Sequence, residues 1–237
     1  MKIKKIKLCL CLLGILGATH PAEAQTTRGW GVGTFGGYSL PVLGMGSRFS
    51  GTEQFGATWH HLRSSRLMME LEYHYSNFDN GEEAKQAFTW AVDGKAYMSP
   101  EAVSQIQFHS AVFNVVVAPW GEGFEGKMFR SYIALGAGIY GYRSERRNFI
   151  YPGQKNPPLD PTQHLNPQIN EKAALGVNAG FGVQRFLSDK VALDLRARYH
   201  IVMGELRPMA AWGFNRQAFP LQFFQIGAGL KFYFQKS

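Results

Sequence analysis

Apolar and polar residues alternate with a period of two along most of this chain. The pattern is clearest in Glu171–Val202, which reads as two strands joined by Leu187-Ser188-Asp189-Lys190. In the first strand, Leu175, Val177, Ala179, Phe181 and Val183 share one parity, opposite Gly176, Asn178, Gly180, Gly182 and Gln184. In the second, Val191, Leu193, Leu195, Ala197, Tyr199 and Ile201 alternate with Ala192, Asp194, Arg196, Arg198 and His200. Successive side chains on a pleated strand point to opposite faces, so each segment predicts one oily and one polar face.

The alternation recurs. Arg66–Asn77 sets Leu67, Met69, Leu71, Tyr73 and Tyr75 against Arg66, Met68, Glu70, Glu72, His74 and Ser76. Met128–Arg143 and Gln222–Phe234 behave alike. Trp30–Leu40 is a glycine-rich strand, as suits a tightly curved wall facing a crowded interior, and Glu53–Leu62 is another. In Gln105–Ala118 the apolar parity changes between Phe108 and Ala111, which predicts a bulge near Ser110. Eight strands result.

Their connections alternate long and short. Pro41–Thr52, Phe78–Val103, Ser144–Asn170 and Met203–Pro220 are long. Arg63-Ser64-Ser65, Pro119–Gly126 and Leu187–Lys190 are short. An even strand count, short periplasmic turns and long outer loops define an outer-membrane barrel, whose apolar face meets lipid and whose polar face lines the lumen. A soluble β-sandwich is the alternative; it buries the apolar face and leaves Asp194, Arg196 and Arg198 in water.

The N-terminus decides the compartment. Lys2, Lys4, Lys5 and Lys7 precede the apolar run Leu8–Ala18, and Ala22-Glu23-Ala24 precedes Gln25. This is a secretory signal peptide over residues 1–24, too short in its apolar run to span a bilayer, leaving a barrel domain over 25–237. Cys9 and Cys11 both lie in the leader, so the mature chain has neither disulfide nor thiolate metal site. The formal charge of +8 falls to +5 without the four lysines and Glu23. The remaining basic residues form no stripe, so no nucleic-acid partner is expected.

The chain resembles the eight-stranded outer-membrane barrels similar to the OmpA N-terminal domain, OmpX and OmpW. The hairpin GVNAGFGVQRFLSDKVALDLRARYH and the closing strand IGAGLKFYF carry the resemblance, which spans about Trp30–Phe234. It implies an integral outer-membrane location of Gram-negative type, with lipid or lipopolysaccharide against the wall. It also implies that Phe232 and Phe234, alternating aromatics of the last strand, are read by the barrel-assembly machinery. Unlike full-length OmpA, no peptidoglycan-binding domain follows the barrel.

Three sets of residues carry candidate chemistry. Glu70, Glu72, Arg130, Asp194, Arg196, Arg198 and Lys231 share lumen parity, near His74 and His200. An eight-stranded barrel is just wide enough to be filled by side chains, so these charges are expected to interlock as a plug of ion pairs. The resemblance also admits a gate, in which exchanged partners open a narrow path. His74-Tyr75-Ser76-Asn77, with Glu82 and Glu83 beyond, resembles the His-x-Ser-Asn motif of the lipid A deacylases, with His74 as base, Ser76 as nucleophile and a Glu further along to orient the His, although its place in the chain and its lumen parity differ from that family's. His60-His61 with His74 is a conceivable metal cluster, but neighbours on a strand face opposite ways. No metal or cofactor is expected. The loop aromatics Phe88, Trp90, Tyr97, Phe149, Tyr151, Trp212 and Phe214 either form an adhesive surface or pack the loops together, the second being preferred.

The expectation is therefore an all-β, eight-stranded, up-and-down transmembrane barrel of structural or interaction type. A small-solute pore is second, and a membrane hydrolase using His74 and Ser76 is third.

Overall fold

The structure is a computed structural model that describes residues 29–120, 124, 129–188 and 190–234. The expected leader, most of Pro119–Gly126, Asp189 and residues 235–237 lie outside these. Eight long strands form the wall: β1 (Trp30–Pro41), β2 (Thr52–Leu62), β3 (Leu67–Asp79), β6 (Val103–Val117), β7 (Phe129–Arg147), β8 (Gln168–Phe186), β9 (Val191–Val202) and β10 (Leu221–Phe234). Two short strands in one long loop, β4 (Phe88–Thr89) and β5 (Ala96–Tyr97), pair only with each other. Each wall strand is antiparallel to its neighbours in sequence, and β1 closes on β10.

Closure satisfies every strand edge, which is what allows a sheet to lie in lipid. The stagger of the wall follows from its pairings. One row runs Gly31, His60, Glu70, Asn114, Gly136, Asn178, His200 and Phe223, then returns to β1 at Pro41, ten residues above its start. Ten residues climb about 33 Å along the strands while eight strands span about 38 Å measured perpendicular to them, so the strands tilt by about 41°.

The two faces are inverted relative to a soluble core. Leu175 is 70% exposed and Phe181 63%, whereas Arg198 is 1% exposed and Glu70 fully buried. Outward apolar positions on β7 run from Phe129 to Ile139. That is about 33 Å along the strand and about 25 Å along the barrel axis, the height of a membrane barrel's apolar band. Trp30 stacks on Trp59 at 4.7 Å toward the short-turn end. Tyr73 bonds His109 Nδ1 at 2.8 Å toward the long-loop end. Aromatics of this kind suit the two borders of the band.

Lumen glycines make room for large neighbours. A Cβ on Gly182 would lie 2.4 Å from the Tyr132 ring, and one on Gly176 2.6 Å from Tyr140.

One local expectation is corrected. There is no bulge near Ser110: β3 and β6 pair in one unbroken register from Leu67↔Val117 to Asp79↔Gln105. Ile106 and Phe108 instead point inward with Ser110 and Val112, because the lumen becomes apolar near the long-loop end. In the second long loop Glu82–Lys85 forms a single helical turn.

Candidate functional site: a filled lumen and a folded cap

The lumen is layered, and its middle layer is ionic. Glu70 and Glu72 project from β3, Asp194, Arg196 and Arg198 from β9, and Lys231 from β10. Arg198 donates to Glu70 at 2.7 Å and to Glu72 at 2.5 Å. Arg196 reaches Glu72 at 2.9 Å and Asp194 at 2.8 and 2.5 Å. Lys231 Nζ meets Glu70 at 2.6 Å. Three acids thus face three bases, each buried, so the layer balances its own charge. Burying such groups is tolerable only when partners and hydrogen bonds are complete. Tyr132 OH donates to Asp194 at 2.8 Å, and the Arg196 guanidinium lies 4.3 Å over Phe35. Arg130 sits apart from these six, toward the short turns, its guanidinium 3.8 Å over the Phe186 ring.

Above the ionic layer the polar groups are histidines, amides and hydroxyls. His74 Nδ1 bonds Glu72 at 3.1 Å, and its ring lies 5.3 Å from that of His200. His200 is held by Tyr140 OH at 2.9 Å and by Gln225 at 3.0 Å. Ser76 Oγ and His74 Nε2 have no hydrogen-bond partner among the described residues, so the serine–histidine bond that a nucleophilic pair requires is not made. Both residues are fully buried in the lumen. His60 also points inward and is fully buried; His61 faces out, 4.1 Å from the Trp30 ring. Among the described residues no three His, Cys, Asp or Glu side chains are disposed to hold a metal ion.

Apolar layers flank the polar ones. Toward the short turns lie Leu62, Met68, Val116, Phe124 and Tyr132, with Phe186 and Tyr233 beside them. Toward the long loops lie Phe78, Ile106, Phe108, Tyr142 and Phe223, joined by Met45, Phe49 and Leu206 from the loops.

Above that stopper one arginine ties the loops together. Arg48, buried in the first long loop, donates to Glu83 of the second at 3.1 Å. It also donates to the carbonyls of Arg207 and Arg216 in the fourth, at 2.8 Å each. Glu83 is further held by Arg146 at 2.9 Å, at the end of β7 that leads into the third loop, and by Ser104 Oγ at 2.5 Å. Farther out, Phe88, Trp90, Phe149 and Trp212 form a small core against which Tyr97 and Phe214 pack. Of the seven loop aromatics named from sequence, six therefore pack the loops together, and Tyr151 stays 39% exposed. Sequence reading missed Arg48 and the part Glu83 plays as its partner. Both residues lie in loops without periodicity, and only the unusual burial of an arginine and a glutamate marks them.

An all-antiparallel, closed, eight-stranded wall with an apolar exterior and an ionic interior defines the class: the up-and-down barrel fold of bacterial outer membranes. Solved structures align with this chain. The crystal structure of Neisserial surface protein A aligns at a TM-score of 0.51 and 13% identity, over 88% of this chain and 100% of that one. Ail of Yersinia pestis aligns at 0.47 and 12%, over 88% and 100%. OprG of Pseudomonas aeruginosa aligns at 0.41 and 12%, over 90% and 100%. No family model matches the chain, and no curated protein sequence does.

Proposed function

We propose that this is an outer-membrane barrel of structural or interaction type, closed to solutes, which displays its packed loops outside the cell as a contact surface. The observation that carries the reading is the layered lumen: a charge-balanced ionic layer lies between apolar layers on both sides. Ions crossing it would have to pass apolar constrictions and then displace paired charges, each step costing several kcal/mol or more. A cap with its own small core supports a binding role, because a preformed surface loses little conformational freedom on contact.

The location follows from the leader at residues 1–24 and the apolar band, with lipid or lipopolysaccharide against the wall. Phe232 and Phe234 point outward on the closing strand, 41% and 55% exposed, which is open to recognition by the barrel-assembly machinery. The seven lumen residues named from sequence act as filling: six as the ionic layer, with Arg130 on its short-turn side.

Single-channel recording of the full-length protein in planar bilayers tests the closed lumen. The expected record shows no discrete conductance steps in molar salt. Labelling of Lys95 and Lys155 on intact cells with a membrane-impermeant amine reagent tests the display. Steady, salt-dependent conductance would replace the plug with the pore, and protection of both lysines would remove the contact surface.

A further inference from the structure

The third long loop, residues 148–167, carries a concave face on the cap. We propose that it binds a neutral saccharide, with Tyr151 as the stacking platform; the inference rests on reading the cap as a contact surface and names the ligand class of one part of it.

The cavity has a volume of about 450 Å³ and is walled by Tyr151, Lys155, Asn156, Asp160 and Gln163, with Gly153 and prolines completing the rim. That volume lies in the range of small-ligand sites, roughly 300–1,000 Å³. A protein partner would instead need a patch on the order of 800 Å², which a single recess does not provide.

The loop is braced from within. Gln154 and Asp160 exchange two hydrogen bonds: the Gln154 amide donates to the Asp160 carbonyl at 2.9 Å, and the Asp160 N–H donates back at 2.8 Å. Trp90 Nε1 donates to the Gln154 carbonyl at 2.8 Å, tying the recess to the cap core. Tyr151 N–H donates to the Gln163 carbonyl at 2.8 Å, and Leu159 and Leu165 pack inward beneath. The walls are thus set before a ligand arrives, which lowers the ordering cost of binding.

The chemistry favours an uncharged polyol. Tyr151 is the aromatic that lines this recess and it stays part-exposed; its ring is seated on Gly153, where a Cβ would lie 2.5 Å from the tyrosine hydroxyl. An aromatic face receives the C–H face of a sugar ring, while amides and charged groups around it bond the hydroxyls. Hydrogen bonds from the Thr162 hydroxyl and backbone N–H hold the Asp160 carboxyl below its ordinary range. The wall thus carries one carboxylate, that of Asp160, and one ammonium, that of Lys155, with no surplus charge for a sulfated or phosphorylated polymer.

The test uses the full-length protein in nanodiscs against immobilised galactose, glucose and N-acetylglucosamine, with sulfated and sialylated glycans alongside. Binding to at least one neutral sugar is expected. Tyr151→Ala should weaken it about tenfold and Tyr151→Phe by no more than about threefold, since the ring supplies the stacking. Gly153→Ala should weaken it severalfold with the barrel intact, because the added methyl displaces only the end of the Tyr151 side chain. Absence of neutral-sugar binding, or binding indifferent to Tyr151→Ala, overturns the site. So does binding confined to sulfated glycans that fades with salt. Cell adhesion that depends on the cap but ignores Tyr151→Ala would sink the saccharide site and leave the contact role standing. Loss of adhesion by wild-type protein would strike the contact role instead.

Discussion

Arg48 Nη1 lies 3.1 Å from Glu83 Oε1, and both side chains are buried although both belong to loops. The contact joins the first long loop to the second, and the same guanidinium holds two carbonyls of the fourth. Arg48→Ala strips three hydrogen bonds at once but leaves Glu83 with Arg146 and Ser104. The cap should loosen by about 3 kcal/mol while the wall stays closed. Limited proteolysis should cut within the loops of the variant, and heat-modifiable gel migration should remain that of wild type.

Within the lumen, Arg198 is shared by Glu70 and Glu72. Arg198→Met leaves Glu72 with Arg196 and Glu70 with Lys231, each short of one partner in a buried layer. Urea unfolding in detergent or bilayers should show a loss of about 3–5 kcal/mol. Glu72→Gln combined with Arg198→Met should recover a good part of it, since the charge balance is restored. Equal losses for the single and double variants would deny the coupling.

Gly136 faces Asn114 and Asn178 across the wall, and a Cβ there would lie 2.0 Å from Asn114 Oδ1 and 2.9 Å from the Phe113 carbonyl. Gly136→Ala should destabilise the barrel by about 1–3 kcal/mol through overpacking. Gly141→Ala, with 3.4 Å to the His109 carbonyl as the tightest approach, serves as the control and should be close to neutral. Both are read from the urea midpoint.

Ser76 carries a buried hydroxyl with no hydrogen-bond partner among the described residues. Ser76→Ala should therefore be neutral or stabilising by up to about 1 kcal/mol. Mass spectrometry of lipid A from cells expressing wild type and variant should give the same acylation profile. Acyl loss present with wild type and absent with Ser76→Ala would establish the hydrolase.

Lys172 on β8 meets Glu205 in the fourth loop at 2.7 Å, and Gln217 donates to the same carboxylate. Hydrogen bonding and charge from Lys172 hold the Glu205 carboxyl below its ordinary value of 4.5. A carboxyl depressed on folding contributes above its unfolded pKa and loses that contribution as pH falls through the folded one. Lys172 is raised, so its contribution is lost only as pH climbs through a value above 10.5. Protease sensitivity of the fourth loop should be flat between pH 8 and pH 5.5 and rise below about pH 4.

The wall was legible from the sequence because lipid outside and ions inside impose opposite chemistry on alternate residues. Leu193 and Arg196 declare their faces without help from any partner. Glycine at Gly31 and Gly33 was legible in the same way, as room left for a crowded interior. The phase change at Phe108 misled because strict alternation assumes one polarity along the whole lumen. Ile106, Phe108 and Phe78 belong to an apolar stopper that only the meeting of strands and loops creates. The partners of Arg48 were hidden for a similar reason: Glu83 stands 35 residues away and Arg216 168, with no repeat to connect them.

The ten-residue climb per circuit also sets the girth of the tube. At a tilt of about 41° eight strands enclose a radius of about 8.3 Å; a climb of eight would give about 7.6 Å and roughly a sixth less cross-section. Aliphatic side chains would leave the wider bore hollow at its axis, whereas arginine, glutamate and tyrosine have the reach to meet there. A plainer, oilier interior would thus demand that the strands first slide to a narrower pairing, so the taste for long ionic side chains is inherited from the weave of the wall.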